Sequence, residues 1–246
     1  MDPQHKALLE EAARPYLGAA ASARRFARSK LRFDPVFSAL LQRGCLPEGG
    51  ALLDLGCGQG LLLALLVAAR DQFNRGQWPP GWPPPPNLIL QGIELDPNRA
   101  SVAQHALVNQ ARVTRHDIRD AAFPPCSAIV LIDVLMYLEE RDQFRVLEKA
   151  AAALDPGGVL LLREADASAG YAFLMTRWSE RLLETLRGRW RNRLHYRGAV
   201  QWTGLLEALG FSVTTEPMSA GTPFANVLFV ARKNQDNPNE TADKRG

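Results

Sequence analysis

The chain has 246 residues, 46% of them hydrophobic and 22% charged, an ordinary globular composition that can bury a sizeable core as one domain with extensions. Net charge is only +3, and the three cysteines, Cys45, Cys57 and Cys126, form no CxxC or His/Cys ligand spacing, which argues against a disulfide framework and a structural zinc site and fits a reducing cytosol. The longest apolar run, Leu61 to Ala69, falls well short of the roughly 20 residues of a membrane span, and the first residues lack the apolar stretch of a leader, so a cytoplasmic protein, soluble or peripheral, is expected.

Up to Leu31 the sequence reads as an alanine-rich helix interrupted by Pro15, with seven basic residues in the first 33 (Lys6, Arg14, Arg24, Arg25, Arg28, Lys30, Arg32) against Asp2, Glu10 and Glu11. Asp34-Pro35 supplies an N-cap with proline at the first helical position, and Gly44 ends the short helix that follows. Residues 1–44 are therefore expected to be a helical extension, 45–233 the main domain, and the polar stretch 234–246 a disordered tail.

From residue 51 strands alternate with helices: strand 51–55, helix 61–73, strand 88–94, helix 97–109, strands 111–115 and 128–132, helix 140–153, strand 159–163. This predicts an α/β fold with a parallel sheet covered on both faces. A helix at 199–209, closed by Gly210, precedes strands 211–216 and 224–231. Only residues 217–223 join the last two strands, too few for a parallel crossover, so the final strand must be antiparallel. The insertion "NRGQWPPGWPPPPN", 74–87, reads as stiff, partly extended surface chain. A second basic segment, 171–197, carries Arg177, Arg181, Arg187, Arg189, Arg191, Arg193 and Arg197 against Glu180 and Glu184. With the N-terminal helices it is expected to cover the cleft and draw anionic partners.

The motif "ALLDLGCGQG", 51–60, places Gly56, Gly58 and Gly60 directly after a strand that ends at Asp54-Leu55. In a doubly wound sheet this is where ligands bind, and glycines there permit positive φ and close approach of a ligand to the backbone. Glu94 stands at the end of the next strand, before a helix capped by Asp96-Pro97, where its carboxylate can accept both hydroxyls of a ribose. The 40-residue separation of Asp54 from Glu94 exceeds the roughly 20 of a nucleotide-binding βαβ unit, and the proline-rich insertion accounts for the excess.

The pattern D-x-G-x-G-x-G differs from the dinucleotide fingerprint. Together with "GIELDPNRA", "RHDI", "IDVLMYL" and "LDPGGVLLL" it resembles the class I S-adenosylmethionine-dependent methyltransferases over about residues 51–231. The resemblance implies a seven-stranded, doubly wound Rossmann-like sheet with its last strand antiparallel, and S-adenosylmethionine as cofactor. It implies that Asp54 and the backbone at Gly56, Cys57, Gly58 and Gly60 hold the methionine end. By the same resemblance Glu94 with Leu95 takes the ribose, Asp117 with the Ile118 backbone the adenine, and Asp133 lies below the sulfonium.

Methyl transfer from a sulfonium is an in-line displacement that needs no metal, only alignment of the nucleophile and a base where the nucleophile carries a proton. Candidates on the same sheet edge are Met136, Tyr137, Arg163, Glu164, Asp166 and the turn 222–226. Glu164 is the first choice for a catalytic or substrate-orienting group, followed by Tyr137 and His195. Related sequences often carry histidine where Met136 stands. The [DN]-P-P-[YF] motif of exocyclic-amine methylases is absent, and "FPPCS" precedes the fourth strand, so Cys126 is not placed as the cytosine-methylating nucleophile. Small molecules are favoured over nucleic acid.

A narrower resemblance, carried by "ARSKLRFDPVF", "READASAGYAF" and "SAGTPFANVLFVAR", is to the stand-alone methyltransferases associated with aryl polyene pigment biosynthesis. It implies an aromatic or phenolic substrate, free or presented by an acidic acyl carrier protein. The alternatives are a cofactor-binding subunit without turnover and an RNA or protein methyltransferase.

Overall fold

A computed structural model describes residues 2–170, 173, 194–219 and 225–235. The expected cover 171–197 lies almost wholly outside the described residues, as does nearly all of the tail.

Three helices precede the sheet: α1 (Pro3–Ala13), α2 (Ala21–Phe33) and α3 (Pro35–Gln42). Asp2 caps α1 by accepting the N–H groups of Gln4 and His5, and Asp34 caps α3 by accepting that of Val36. Pro15 falls in a short 3₁₀ turn, Arg14–Gly18, that separates α1 from α2, as a residue without a backbone N–H dictates. The sheet is built from β1 (Gly49–Leu55), β2 (Asn87–Glu94), β3 (Arg112–Arg115), β4 (Cys126–Ile132), β5 (Leu154–Ala165), β6 (Phe211–Pro217) and β7 (Asn226–Lys233), in the order β3-β2-β1-β4-β5-β7-β6. β7 runs antiparallel to both neighbours, slotted between β5 and β6 as the short β6–β7 connection requires.

Helices α4 (Leu61–Asn74), α5 (Pro97–Ala106), α6 (Glu140–Ala153) and α7 (Ala199–Ala208) complete the layers. One apolar core joins α1, α3, α4 and α5 to one face of the sheet; the other joins α6 and α7 to the opposite face. The central strands are apolar without alternation, Ala128–Leu131 and Val159–Leu162 being buried throughout, because both faces are covered.

One local expectation is corrected. β5 begins at Leu154, five residues early, because Leu154 pairs with Cys126 before a register shift, and Gly157 at φ +76° lets the strand bulge and continue. The proline-rich insertion is surface chain, as expected, and it is anchored. Trp82 packs edge-on to His5 of α1 at 4.9 Å and to Trp78 at 5.6 Å, while the Trp78 indole N–H donates to the Pro83 carbonyl at 3.0 Å. Its aromatic residues fold the prolines back onto the N-terminal helix.

Candidate active site

The carboxyl ends of β1, β2, β3 and β4 open onto two adjoining cavities, of about 180 and 550 Å³, that share Gly56, Arg99, Asp133 and Tyr137. The smaller is lined by Asp54, Cys57, Gly58, Phe26, Lys30 and Phe37; the larger by Glu94, Leu95, Arg115, Asp117, Ile118 and Arg119.

The three glycines of the loop have positive φ, but for different reasons. A Cβ on Gly56 would come within 2.6 Å of Val134 and one on Gly60 within 2.6 Å of Leu107, so both are required by the protein's own packing. A Cβ on Gly58 would meet nothing within 4 Å, so it is not packing that keeps Gly58 a glycine beside the smaller cavity. The Cys57 side chain turns inward against Gly92, and burial pushes its thiol well up, so Cys57 contributes backbone rather than nucleophile. Tyr16, fully buried, donates its hydroxyl to the Gln59 carbonyl at 2.8 Å and thereby fastens the glycine loop to the N-terminal extension.

Glu94 accepts the N–H of Gly58 on one carboxylate oxygen and that of Asp96 on the other, both at 2.8 Å. Each oxygen keeps a lone pair for a ribose hydroxyl. Ile118 is buried at the wall of the larger cavity, and among the described residues its N–H has no hydrogen-bond partner. The carboxylate of Asp117 is already engaged by Arg119, at 3.1 and 2.6 Å, and that hydrogen-bonded guanidinium holds its pKa down. An adenine amino group would share Asp117 with Arg119.

Asp54 is 4% exposed, and among the described residues nothing hydrogen-bonds its carboxyl. Burial, with the charge of Glu94 added, pushes its pKa up to about 8. A buried carboxyl without a partner at the wall of a cavity is a receptor for a cation, and the ammonium group of a methionine moiety supplies one. With Glu94 and the open Ile118 N–H, this donor set fits an amino-acid-bearing nucleoside.

Asp133 carries positive φ without being glycine, a strained conformation held by a network. The buried Arg163 guanidinium bridges Asp133 on one side and Asp34 on the other, and Lys30 reaches both carboxylates, at 2.7 Å to Asp34 and 3.4 Å to Asp133. Burial raises the Asp34 pKa, but the charges of Arg163 and Lys30 outweigh it and hold the group at about 2.

Glu164 does not line either cavity. It is 2% exposed and accepts the N–H groups of Val134 and Leu135 at 3.1 and 2.7 Å, fixing the loop after β4 that carries Asp133 and Tyr137. Burial and the Asp133 charge push its pKa up to about 8. It is a positioning residue. Tyr137, 37% exposed, lines both cavities and can touch a substrate. His195 meets this region through its backbone, donating to the Met136 carbonyl at 2.8 Å and accepting from the Gln143 amide at 3.0 Å, and does not line the two cavities. Sequence reading missed Tyr16, Phe26, Lys30, Asp34 and Arg99 as parts of the site. Arg99 lines both cavities, and among the described residues it has no ion-pair or hydrogen-bond partner for its guanidinium.

A pH dependence follows from Asp54 and Glu164. Their folded pKa values lie above the unfolded values of about 4, so the stability they contribute is present below that pH and is lost as pH rises toward about 8. The melting temperature of the free protein is expected to fall over that window, and Asp54→Asn to flatten the fall; calorimetry across pH checks this.

A family profile described as a methyltransferase domain matches residues 23–216. The carboxy-S-adenosyl-L-methionine synthase of Chromohalobacter salexigens is 31% identical over 121 residues, 47% of this chain but only 40% of that protein's length. Among solved structures, an O-methyltransferase family protein from Burkholderia thailandensis superposes with TM-score 0.62 at 17% identity, covering 95% of this chain and 71% of that one. The magnesium protoporphyrin IX methyltransferase of Synechocystis PCC 6803 with bound S-adenosylhomocysteine superposes with TM-score 0.57 at 19% identity, covering 94% and 96%. These two share the fold, and the profile spans both cavities from α2 to β6. The chain belongs to the methyltransferase-domain family.

Proposed function

We infer that the protein is an S-adenosylmethionine-dependent methyltransferase acting on a small aromatic or phenolic acid, free or presented on an acidic carrier. The observation that carries this reading is the composition of the smaller cavity. Asp54 stands at one part of its wall for the cofactor's ammonium group, while Phe26, Phe37 and Tyr137 offer aromatic surface beside the cations Lys30 and Arg99. A flat apolar ring with an anionic substituent satisfies both features. The cofactor when bound supplies an electrophilic methyl group. The chain's residues do the rest: Glu94 and Gly58 fix the nucleoside, Asp133 is held by Arg163, and Tyr137 stands where a substrate hydroxyl can be oriented. Much of the acceleration in such a site comes from alignment.

The name of the Chromohalobacter relative supports a second reading, favoured by Arg99, unpaired among the described residues: a site that receives a carboxylated form of the cofactor. Mass spectrometry after incubation with S-adenosylmethionine and a panel of hydroxybenzoic and hydroxycinnamic acids separates the two. Gain of one methylene by an aromatic acid is expected, reduced at least tenfold in catalytic efficiency by Arg99→Met. Arg99-dependent binding of added carboxy-S-adenosyl-L-methionine, tighter than that of S-adenosylmethionine, with the acids unchanged favours the second reading. Tight binding of S-adenosylhomocysteine with neither product favours a subunit without turnover.

A further inference from the structure

A second concavity, of about 450 Å³, lies between α1 and α2, away from the two cofactor cavities. Its apolar floor includes Leu9 and Ala13, each only 6% exposed, and its wall is formed by Arg24, Arg25, Arg28 and Arg32, together with Lys6 and Glu10, which pair with each other at 3.8 Å. Arg24 makes only a 3.5 Å contact to the Leu17 carbonyl, and Arg32 lies over the ring of Phe33. Among the described residues none of the four arginines has a carboxylate partner.

That arrangement works against the helix that carries it. Arg24, Arg28 and Arg32 recur at i, i+4 and i+8, where like charges repel, and α2 contains no acidic residue to relieve them. Ala23, Ala27 and Leu31 already pin α2 to the protein body, so burial of this helix does not require the arginine row. A row of cations about 12 Å long, with an apolar floor recessed beneath it, is complementary to one helix carrying acids at i, i+4 and i+8 beside an apolar stripe. A flat bilayer meets the arginine rim without reaching Leu9 and Ala13, and a nucleic-acid strand has no use for the apolar floor.

We propose that the α1/α2 groove is the docking site for an acidic amphipathic helix of a partner protein. The occupant lies against α2, whose other side presents Phe26 and Lys30 to the smaller cavity, so the partner is seated next to the site's wall.

The test uses four probes: a helical peptide with Glu at i, i+4 and i+8 and a leucine stripe, its scrambled isomer, phosphatidylglycerol vesicles, and a single-stranded RNA oligomer. Each is titrated against the intact protein, against Arg24→Gln/Arg28→Gln/Arg32→Gln, and against a charge-matched control, Arg112→Gln/Arg141→Gln/Arg145→Gln. The expected result is that the patterned peptide binds at least tenfold tighter than its scramble, and that the groove variant loses this preference while the control keeps it. Equal binding of the scramble, equal loss in the control, or tighter groove-dependent binding of vesicles or RNA overturns the proposal. Affinity for S-adenosylhomocysteine, measured on all three proteins, is expected to be equal. A failure of the intact protein to bind it would sink the methyltransferase reading, separately from the groove.

Discussion

Replacing Asp54 with Asn is expected to weaken S-adenosylhomocysteine binding by about 100-fold, ~3 kcal/mol, while the free protein becomes no less stable. The two effects have one origin. Asp54 is buried without a hydrogen-bond partner among the described residues, and its raised pKa reports the cost of holding a charge there. The carboxamide has the same shape without that cost, so the free protein loses nothing, but the cofactor's ammonium group loses its counterion. Isothermal calorimetry and thermal melts on the same sample check both halves. If affinity survives the substitution, the ammonium group lies elsewhere and the fit of the smaller cavity is wrong.

The second large effect concerns Arg163→Met, expected to destabilise the protein by about 3 to 5 kcal/mol, because it strands the carboxylates of Asp34 and Asp133 with only Lys30 between them. Adding Asp34→Asn and Asp133→Asn is expected to recover a large part of that loss, since a neutral set leaves no uncompensated charge. Denaturant melts of the single and triple variants measure it. A triple variant no more stable than the single would mean that Arg163 matters for its packing alone. The cofactor affinity of the triple variant should still be reduced, if, as proposed, the charge of Asp133 faces the sulfonium.

Much of this site could be read from the sequence, for a physical reason. Asp54, the glycines and Glu94 lie at strand ends, and the strand period together with the positive-φ glycines places them without knowledge of any long-range contact. The antiparallel β7 followed from seven residues of connection. What could not be read depends on pairs distant in sequence. Arg163 was visible at the sheet edge, but its partner Asp34 had already been assigned, correctly, as the cap of α3, and nothing local reveals that one carboxylate serves both. Glu164 was chosen as a catalytic group because it is a carboxylate at the right edge. Its direction, inward to the N–H groups of Val134 and Leu135, is set by tertiary packing. The glycines read as one device for ligand approach; Gly56 and Gly58 do line the cavities, but Val134 and Leu107 occupy the space that a Cβ would need at Gly56 and Gly60. Lys30 and Arg99 lie within quoted motifs, but nothing local shows that their side chains reach the cavities.

The doubly used Asp34 also bears on how the protein is made. Asp34 and Arg163 are separated by 129 residues, so the contact that ties α2 and α3 to the centre of the sheet cannot form until β5 has left the ribosome. At about 5 to 20 residues per second, the N-terminal helices wait on the order of ten seconds for that partner. During the interval α1 can settle on α4, and α2 on α1 through Ala23, Ala27 and Leu31, but the charge cluster of Lys30 and Asp34 stays incomplete beside the half-built sheet. The N-terminal helices are thus packed before they are tied to the centre of the sheet, and the cofactor site gains its Asp133 wall in that late event.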